Sequence, residues 1–376
     1  MKKNRVIIPL VFLIVLGVCG IGYGVIRNDN NVKKLTVSAE QQTMKNSDED
    51  IRISNLNFYQ NLHEQRDTSA LVIGDSIGES TGASNANKQW FNQIAKDVKT
   101  KYNSNMTTDL MTGGSSTSIR GWVELGNTKI TQKYDVAFIC FGQNDQGIVT
   151  PQQFKMFYES MIINLKKANP NIEIIPIMES SLKQYNEYSS VIVGLSKHYN
   201  LQYADTIQAF NNSGKLYSDL TKDGTHPNDK GYSYYISTIE KIISDNYKAN
   251  KKTKVTDSVL YSDTNKLKNF TFNNTPNSSN GFDLSNGIIG NKVGNSVTFN
   301  TTNSVVVIHF MRQPNGGKFK VFIDDKFIKE IDTNLAFSVS YSDLISDNLA
   351  GSHKIKIEIS TINKRGSVNI LGLATN

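Results

Sequence analysis

Between residues 51 and 247 two hydrophobic rhythms take turns along the chain. Strand-length stretches, ALVIG (70–74), TTDLMT (107–112), DVAFICFG (135–142), IEIIPIM (172–178) and LQYAD (201–205), are separated by longer ones in which apolar residues recur every three to four positions. The longer stretches predict helices in NLNFYQNLHEQ, NKQWFNQIAKDVKTKY, NEYSSVIVGLSKHY, NDKGYSYYISTIEKIISDNYK and PQQFKMFYESMIINLKKA, whose proline suits a first helical turn. Strand and helix in alternation predict an α/β fold with a parallel sheet covered on both faces. In such a sheet the ligand site lies outside the carboxyl ends of the strands.

Past a basic, glycine-free link, KANKKTK (248–254), the period falls to two. SVVVIHF, KFKVFID, KFIKEID, HKIKIEIS and SVNILGL read as strands, with the turn signals PNGG and DD between them. Residues 255–376 are therefore expected to form a separate antiparallel β-sandwich. No internal repeat accompanies the change of period.

At the other end, Lys2, Lys3 and Arg5 precede the uncharged run of residues 6–26, which is long enough to cross a hydrocarbon core of about 30 Å. The positive flank predicts a single-pass membrane anchor over 1–27, its N-terminus inside and everything beyond it outside, followed by a polar stalk over 28–50. The glycines at 17, 20, 22 and 24 keep open a cleaved signal peptide, which would leave the protein secreted. Cys19 and Cys140, the two cysteines, both lie in apolar runs and cannot meet, so no disulfide is expected. The net charge of +7 is not gathered into a basic stripe with interleaved aromatics, which argues against nucleic acid. Residues 251–376 hold 15 Lys and Arg against 10 Asp and Glu, so at most the charge implies attraction to an acidic cell-envelope polymer.

Four stretches place chemistry where an α/β sheet would use it. Ser76 directly follows the first strand, between Gly74 and Gly78, and GDSIG fits the GxSxG pattern of a nucleophile elbow; a serine in such a turn can equally cap a helix. In DGTHP, Asp223 and His226 stand three residues apart, close enough for the carboxylate to hold imidazole Nδ1 and aim Nε2 at a serine. FGQND ends the central strand, and the Asn144 amide there can donate to a developing oxyanion. LMTGGSSTS ends the second strand with Gly113 and Gly114, whose N–H groups offer another donor or cap a turn.

The remaining polar residues read more quietly. His63, His198, His309 and His353 lie apart with no Cys or carboxylate at ligand spacing, so no metal is expected. No lysine follows the glycines as a phosphate loop requires, and no cofactor is expected. Glu79 reads as a charge in a helix first turn, Asp75 and Asp145 as acceptors that fix loops, and Trp122 as either a core residue or a wall of an acyl or sugar site.

Taken together and in this order, the four blocks resemble the SGNH/GDSL hydrolase family over roughly residues 68–247. The resemblance implies a flavodoxin-like doubly wound parallel sheet. It makes Ser76 the nucleophile, His226 the base, Asp223 its orienter, and Ser76, Gly114 and Asn144 the oxyanion hole. The asparagine that often precedes the second-block glycine in the family is absent here, so Gly113 and Gly114 compete for one donor role. An α/β-hydrolase, which shares GxSxG, places several strands before its elbow and puts Asp and His on different loops.

The implied activity is that of an extracellular, membrane-anchored serine esterase removing acyl groups, O-acetyl above all, from a cell-surface or extracellular glycan. The β-domain is loosely similar to jelly-roll carbohydrate-binding modules. Two alternatives stay open: a glycan O-acetyltransferase using the same triad, and a non-catalytic carbohydrate-binding surface protein.

Overall fold

In a computed structural model of the chain, residues 55–376 are described, apart from 129–132, 255 and 257. The expected anchor and stalk lie outside these residues, and no described helix is long and apolar enough to cross a membrane. Five parallel strands, β1 (Thr68–Gly74), β2 (Met106–Thr112), β3 (Val136–Cys140), β4 (Glu173–Met178) and β5 (Ala204–Asp205), stand in the order β2-β1-β3-β4-β5. This is the flavodoxin-like doubly wound order, which reverses between β1 and β3.

The pleat of β1 explains why its sequence is apolar throughout. Ala70 and Val72 point into a core with Phe58 of α1 (Phe58–His63), Trp90 of α2 (Trp90–Tyr102) and Tyr235 of α8 (Asp229–Lys248). Leu71 and Ile73 point the other way, toward Trp122 of α3 (Ser118–Asn127), Phe157 of α4 (Pro151–Ala168) and Ile192 of α5 (Glu187–His198). A strand buried on both faces has no polar face to display. Two short helices, α6 (Thr206–Asn211) and α7 (Tyr217–Leu220), fill the connection from β5 to α8.

The start of α4 is the one its sequence announces. Thr150 Oγ1 accepts from the Gln153 N–H (3.2 Å), the Gln153 side chain accepts from the Thr150 N–H (3.1 Å), and Pro151 takes the first helical position. By contrast, α3 has no counterpart among the predicted helices: Ile119, Trp122 and Val123 keep helical spacing, but the segment is short and carries two glycines, Gly121 and Gly126, of low helix propensity. Both glycines serve close packing: a Cβ on Gly121 would lie 2.6 Å from the Phe141 ring, and one on Gly126 2.6 Å from the Phe270 ring. LQYAD yields a strand of only two residues, since it pairs with β4 only at Ile177 and Met178.

The C-terminal part forms two antiparallel sheets. One has the order β13 (Val339–Ser346), β10 (Val306–Arg312), β15 (Val368–Thr375), β6 (Thr271–Asn273), with β8 (Ile288–Gly290) also paired to β15. The other runs β12 (Lys326–Asp332), β11 (Gly317–Ile323), β14 (His353–Ile362), β9 (Ser296–Thr301), β7 (Ser278–Asn280). Asp324 and Asp325, at φ 49° and 65°, close the β11–β12 hairpin with the left-handed pair that a two-residue turn requires.

The sandwich packs on the parallel-sheet layer and shares its core. Val306, Ile308 and Phe310 of β10 face the sandwich interior, while Val305, Val307 and Ala374 join the cluster of Trp122 and Phe157. SVVVI is therefore a strand buried on both sides, not an alternating one. Phe270 meets Trp122 edge-on at 5.0 Å. Buried Glu159 of α4 accepts from the N–H groups of Leu260 (2.5 Å) and Tyr261 (3.0 Å), from Thr264 Oγ1 (2.6 Å) and from the Tyr199 hydroxyl (2.7 Å), which ties the connecting segment down. In the basic link, Lys251 Nζ pairs with Glu173 (3.1 Å) and its carbonyl accepts from Asn57 (2.8 Å).

Trp122 is fully buried between the two parts. Trp122→Ala should lower the unfolding free energy by about 3–5 kcal/mol in urea denaturation. A loss below about 1 kcal/mol would show that the shared core does not carry the junction.

Candidate active site

Ser76 sits where β1 gives way to a turn. Asp75 N–H still donates to Cys140 O of β3 (3.2 Å), and Asp75 Oδ1 then accepts from the Ile77 N–H (2.8 Å), folding the chain back on itself. No helix begins at Ser76: its carbonyl accepts from the Thr81 N–H (2.8 Å), and the first N–H of α2, on Trp90, donates to Ser80 Oγ (3.0 Å). The Ser76 hydroxyl is thus free of a capping role. Glu79 lies in these turns and lines the cavity described below, so it is not a helix first-turn charge.

The partner loop arrives from the far end of the layer. Thr221 and Pro227 pair as an isolated bridge, and the Lys222 N–H donates to His226 O (2.8 Å), closing the loop that holds Asp223 and His226. Gly82, at φ 103°, lets the two loops pass: a Cβ there would sit 2.4 Å from Pro227 O. Across this contact Ser76 Oγ lies 2.9 Å from His226 Nε2, and His226 Nδ1 lies 2.7 Å from Asp223 Oδ2. Asp223 Oδ1 also accepts from the N–H groups of His226 (2.9 Å) and Thr225 (3.0 Å). Its bonds to the His226 backbone and ring hold the carboxyl down at about 2. The three side chains make a relay in which a proton can leave Ser76 for the imidazole.

Oxyanion donors surround the same hydroxyl. The Gly113 N–H is spent on Gly74 O (3.2 Å), whereas those of Gly114 and Ser76 donate to nothing among the described residues. Asn144 Nδ2 donates to Asp75 Oδ2 (2.9 Å) and Ser116 O (3.1 Å), so both amide hydrogens are engaged as the site stands.

A cavity of about 550 Å³ opens over Ser76, His226, Asn144 and Gly114, and the sandwich closes one side of it with Phe337 and Val339. Phe337 is 47% exposed, and its ring would lie 2.9 Å from a Cβ on Gly114. Polar bonds fix this wall in place. Arg120 Nε of α3 donates to Ser340 Oγ of β13 (2.9 Å), Ser340 Oγ donates to Glu124 (2.6 Å), and Arg120 pairs with Glu124 (3.2 Å).

The other singled-out residues serve the frame. Trp122 is core. Asp145 accepts from the Ser118 N–H (3.0 Å) and Oγ (2.6 Å) at the start of α3, and burial raises its carboxyl to about 7. His63 stacks on Tyr247, His198 bonds Ser258 O (2.7 Å), and His353 pairs with Asp324 (2.7 Å). His309, pushed down to about 4 by burial, bonds Ser342 (2.8 Å) behind β13. Sequence reasoning missed Glu179, fully buried just past β4, whose carboxyl gathers with Asp75 and Cys140 beneath the serine. The available signal was an acid at the carboxyl end of an apolar strand, the position Asp75 holds after β1. Phe337 and Val339 gave no such signal, because only the packing of the two layers brings them to the cavity.

Residues 72–234 match the model of the GDSL-like Lipase/Acylhydrolase family, and this stretch is a domain of that family, an ester hydrolase. Among solved structures, the chain is similar to a two-domain esterase active on acetylated mannans, at 14% identity and a TM-score of 0.67, over 84% of this chain and 92% of that one. The same esterase co-crystallised with mannopentaose aligns over 86% and 96% of the two chains, again at 14% identity and a TM-score of 0.67. An acetylxylan esterase from Geobacillus stearothermophilus aligns at 18% identity and a TM-score of 0.41, over 47% of this chain and 94% of that one. The fold shared with the first of these spans both the parallel-sheet layer and the sandwich. No curated protein sequence matches the chain.

Because the Asp223 carboxyl is held low, its stabilising contribution is present above the unfolded value of about 3.9 and is lost as pH falls toward 2. Asp223→Asn should cost up to about 1 kcal/mol of stability near neutral pH, the site being half exposed, with the gap to wild type closing in acid. Urea melts at several pH values measure this; a gap that widens in acid would contradict the assignment.

Proposed function

We propose that this GDSL-like lipase/acylhydrolase domain works as a serine esterase that removes O-acetyl groups from a cell-surface or extracellular glycan. The observation that carries the reading is the unbroken relay from Ser76 Oγ through His226 to Asp223, at 2.9 and 2.7 Å, beside the uncommitted N–H of Gly114. As Ser76 Oγ attacks the ester carbonyl, its proton passes to His226 Nε2, and Asp223 steadies the imidazolium. The carbonyl oxygen takes its negative charge into the N–H groups of Ser76 and Gly114 and into the Asn144 N–H that now rests on Ser116 O and turns to the oxyanion, the other staying on Asp75. His226 then gives the proton to the departing sugar hydroxyl, leaving an acetyl-serine. Water attacks this ester, its proton goes to His226, and acetate leaves as Ser76 is reprotonated.

Three features support a glycan as the alcohol side. The exposed Phe337 ring offers an apolar face for sugar C–H groups directly beside Gly114. The rim also carries hydrogen-bonding side chains, Glu79, Thr81, Ser115 and Thr225. The two-domain esterase of the same fold is active on acetylated mannans, and we carry the class of acetylated glycan, not the sugar, over to this chain. The apolar run at residues 6–26 supports placing the enzyme at the outer side of a membrane.

Incubation of the protein with acetylated envelope polysaccharides should release free acetate, and Ser76→Ala should abolish the release. Acetyl groups appearing on an acceptor sugar instead, or full activity in Ser76→Ala, would contradict the reading. Loss of one oxyanion donor in Asn144→Ala should cost about 10²- to 10³-fold in kcat. Phe337→Ala should raise KM for the polysaccharide several-fold and leave kcat/KM for a small aryl acetate nearly unchanged; equal losses on both would show that the ring supports the fold and not the substrate.

A further inference from the structure

Beneath Ser76 lie two carboxyl groups for which the mechanism above finds no use. Asp75 is 1% exposed and Glu179 is fully buried. A carboxyl oxygen of each and the Cys140 sulfur all lie within 4.8 Å of one another. Two carboxylates offer only acceptors and repel each other, so a buried pair this close, with no cation against it, calls for a proton between them. We propose that Asp75 and Glu179 share one proton and that the pair, through Gln143 and Asn144, fixes the oxyanion amide, which makes Glu179 a positioning residue.

The donor count says where the charge rests. Asp75 accepts from the Ile77 N–H (2.8 Å), the Gly78 N–H (3.5 Å) and Asn144 Nδ2 (2.9 Å), the set a carboxylate needs. Glu179 accepts from the Gln143 N–H with Oε2 (2.7 Å) and from the weakly donating Cys140 thiol with Oε1 (3.3 Å), a poorer donor set than that of Asp75, which leaves Glu179 the better placed of the two to carry the shared proton. Asn144 is thus held through its side chain by Asp75, and the backbone of Gln143 ahead of it by Glu179. The titratable groups that face the pair are Cys140, Asp145, Tyr158 of α4, Tyr217 of α7, and Tyr232 and Tyr235 of α8; among these described residues none is a cation. Burial accordingly raises both carboxyls. A raised carboxyl stabilises the fold below its unfolded value and loses that contribution as pH rises through its folded one, so the pair fails on the alkaline side, where two like charges would be forced together.

The inference rests on Asn144 acting as an oxyanion donor, and its test keeps the two ideas apart. Glu179→Gln keeps an acceptor for Gln143 and an N–H for Asp75, while Asp75→Asn turns an amide NH₂ against that of Asn144. With full-length protein and an aryl acetate, Glu179→Gln should keep kcat within about threefold at neutral pH, and Asp75→Asn should lose about 10²-fold in kcat with KM little changed. Wild-type Tm should fall as pH rises from about 6 to 9 and stay flat in Glu179→Gln, and wild-type kcat should fall relative to that of Glu179→Gln over the same range. Equal damage from the two amide variants, a flat wild-type Tm profile, or a stoichiometric metal that elemental analysis finds in wild type and not in Glu179→Gln would overturn the shared proton. The Tm profile needs no activity, so an inactive wild type with the expected profile would sink the esterase reading and leave the pair standing.

Discussion

A hydroxyl and an imidazole from residues 150 positions apart in sequence must stay within hydrogen-bond reach, and the parallel sheet is what enforces it. Ser76 leaves the carboxyl end of β1, and Asn144 leaves the same end of β3, its neighbour across the point where strand order reverses. His226 is brought to that rim by the loop ahead of α8, whose inner face, with Tyr232 and Tyr235, packs on the core behind β1. The distance from Ser76 Oγ to His226 Nε2 is therefore held by burial of large aromatic side chains, and not by the loop alone.

The same logic extends to the sandwich. Its strand β10 is apolar on both faces because one faces the sandwich interior and the other covers α3 and α4. Docked there and held by Arg120, Glu124 and Ser340, the sandwich places Phe337 over Gly114.

Much of this was legible in the residues. The five strand candidates all overlap observed strands, and the helices at α2, α4, α5 and α8 follow from their periodicity. What stayed hidden has physical causes. In α3, Gly121 and Gly126 serve close packing and lower the helix propensity of a segment only ten residues long, although its apolar residues keep helical spacing. β13 is interrupted by serines with polar partners, Ser340 on Arg120 and Glu124 across the junction and Ser342 on His309 of the neighbouring strand. Reading SVVVIHF as alternating overlooked that four consecutive apolar residues need cover on both sides. The site was legible where its residues follow strands or sit three apart in one turn; Gly113 and Gly114 could be separated only once the bond from Gly113 to Gly74 was seen. Glu179 and Phe337 depend on which layer packs against which, and a single sequence does not state that.

The account turns on Ser76 being activated by His226 across the two loops. Treating the full-length protein with a fluorophosphonate and mapping the adduct by peptide mass spectrometry tests this directly. The adduct should fall on Ser76 alone, and its rate of formation should drop by about 10³-fold or more in His226→Ala. An adduct on another serine, or labelling of Ser76 that is indifferent to His226, would contradict it.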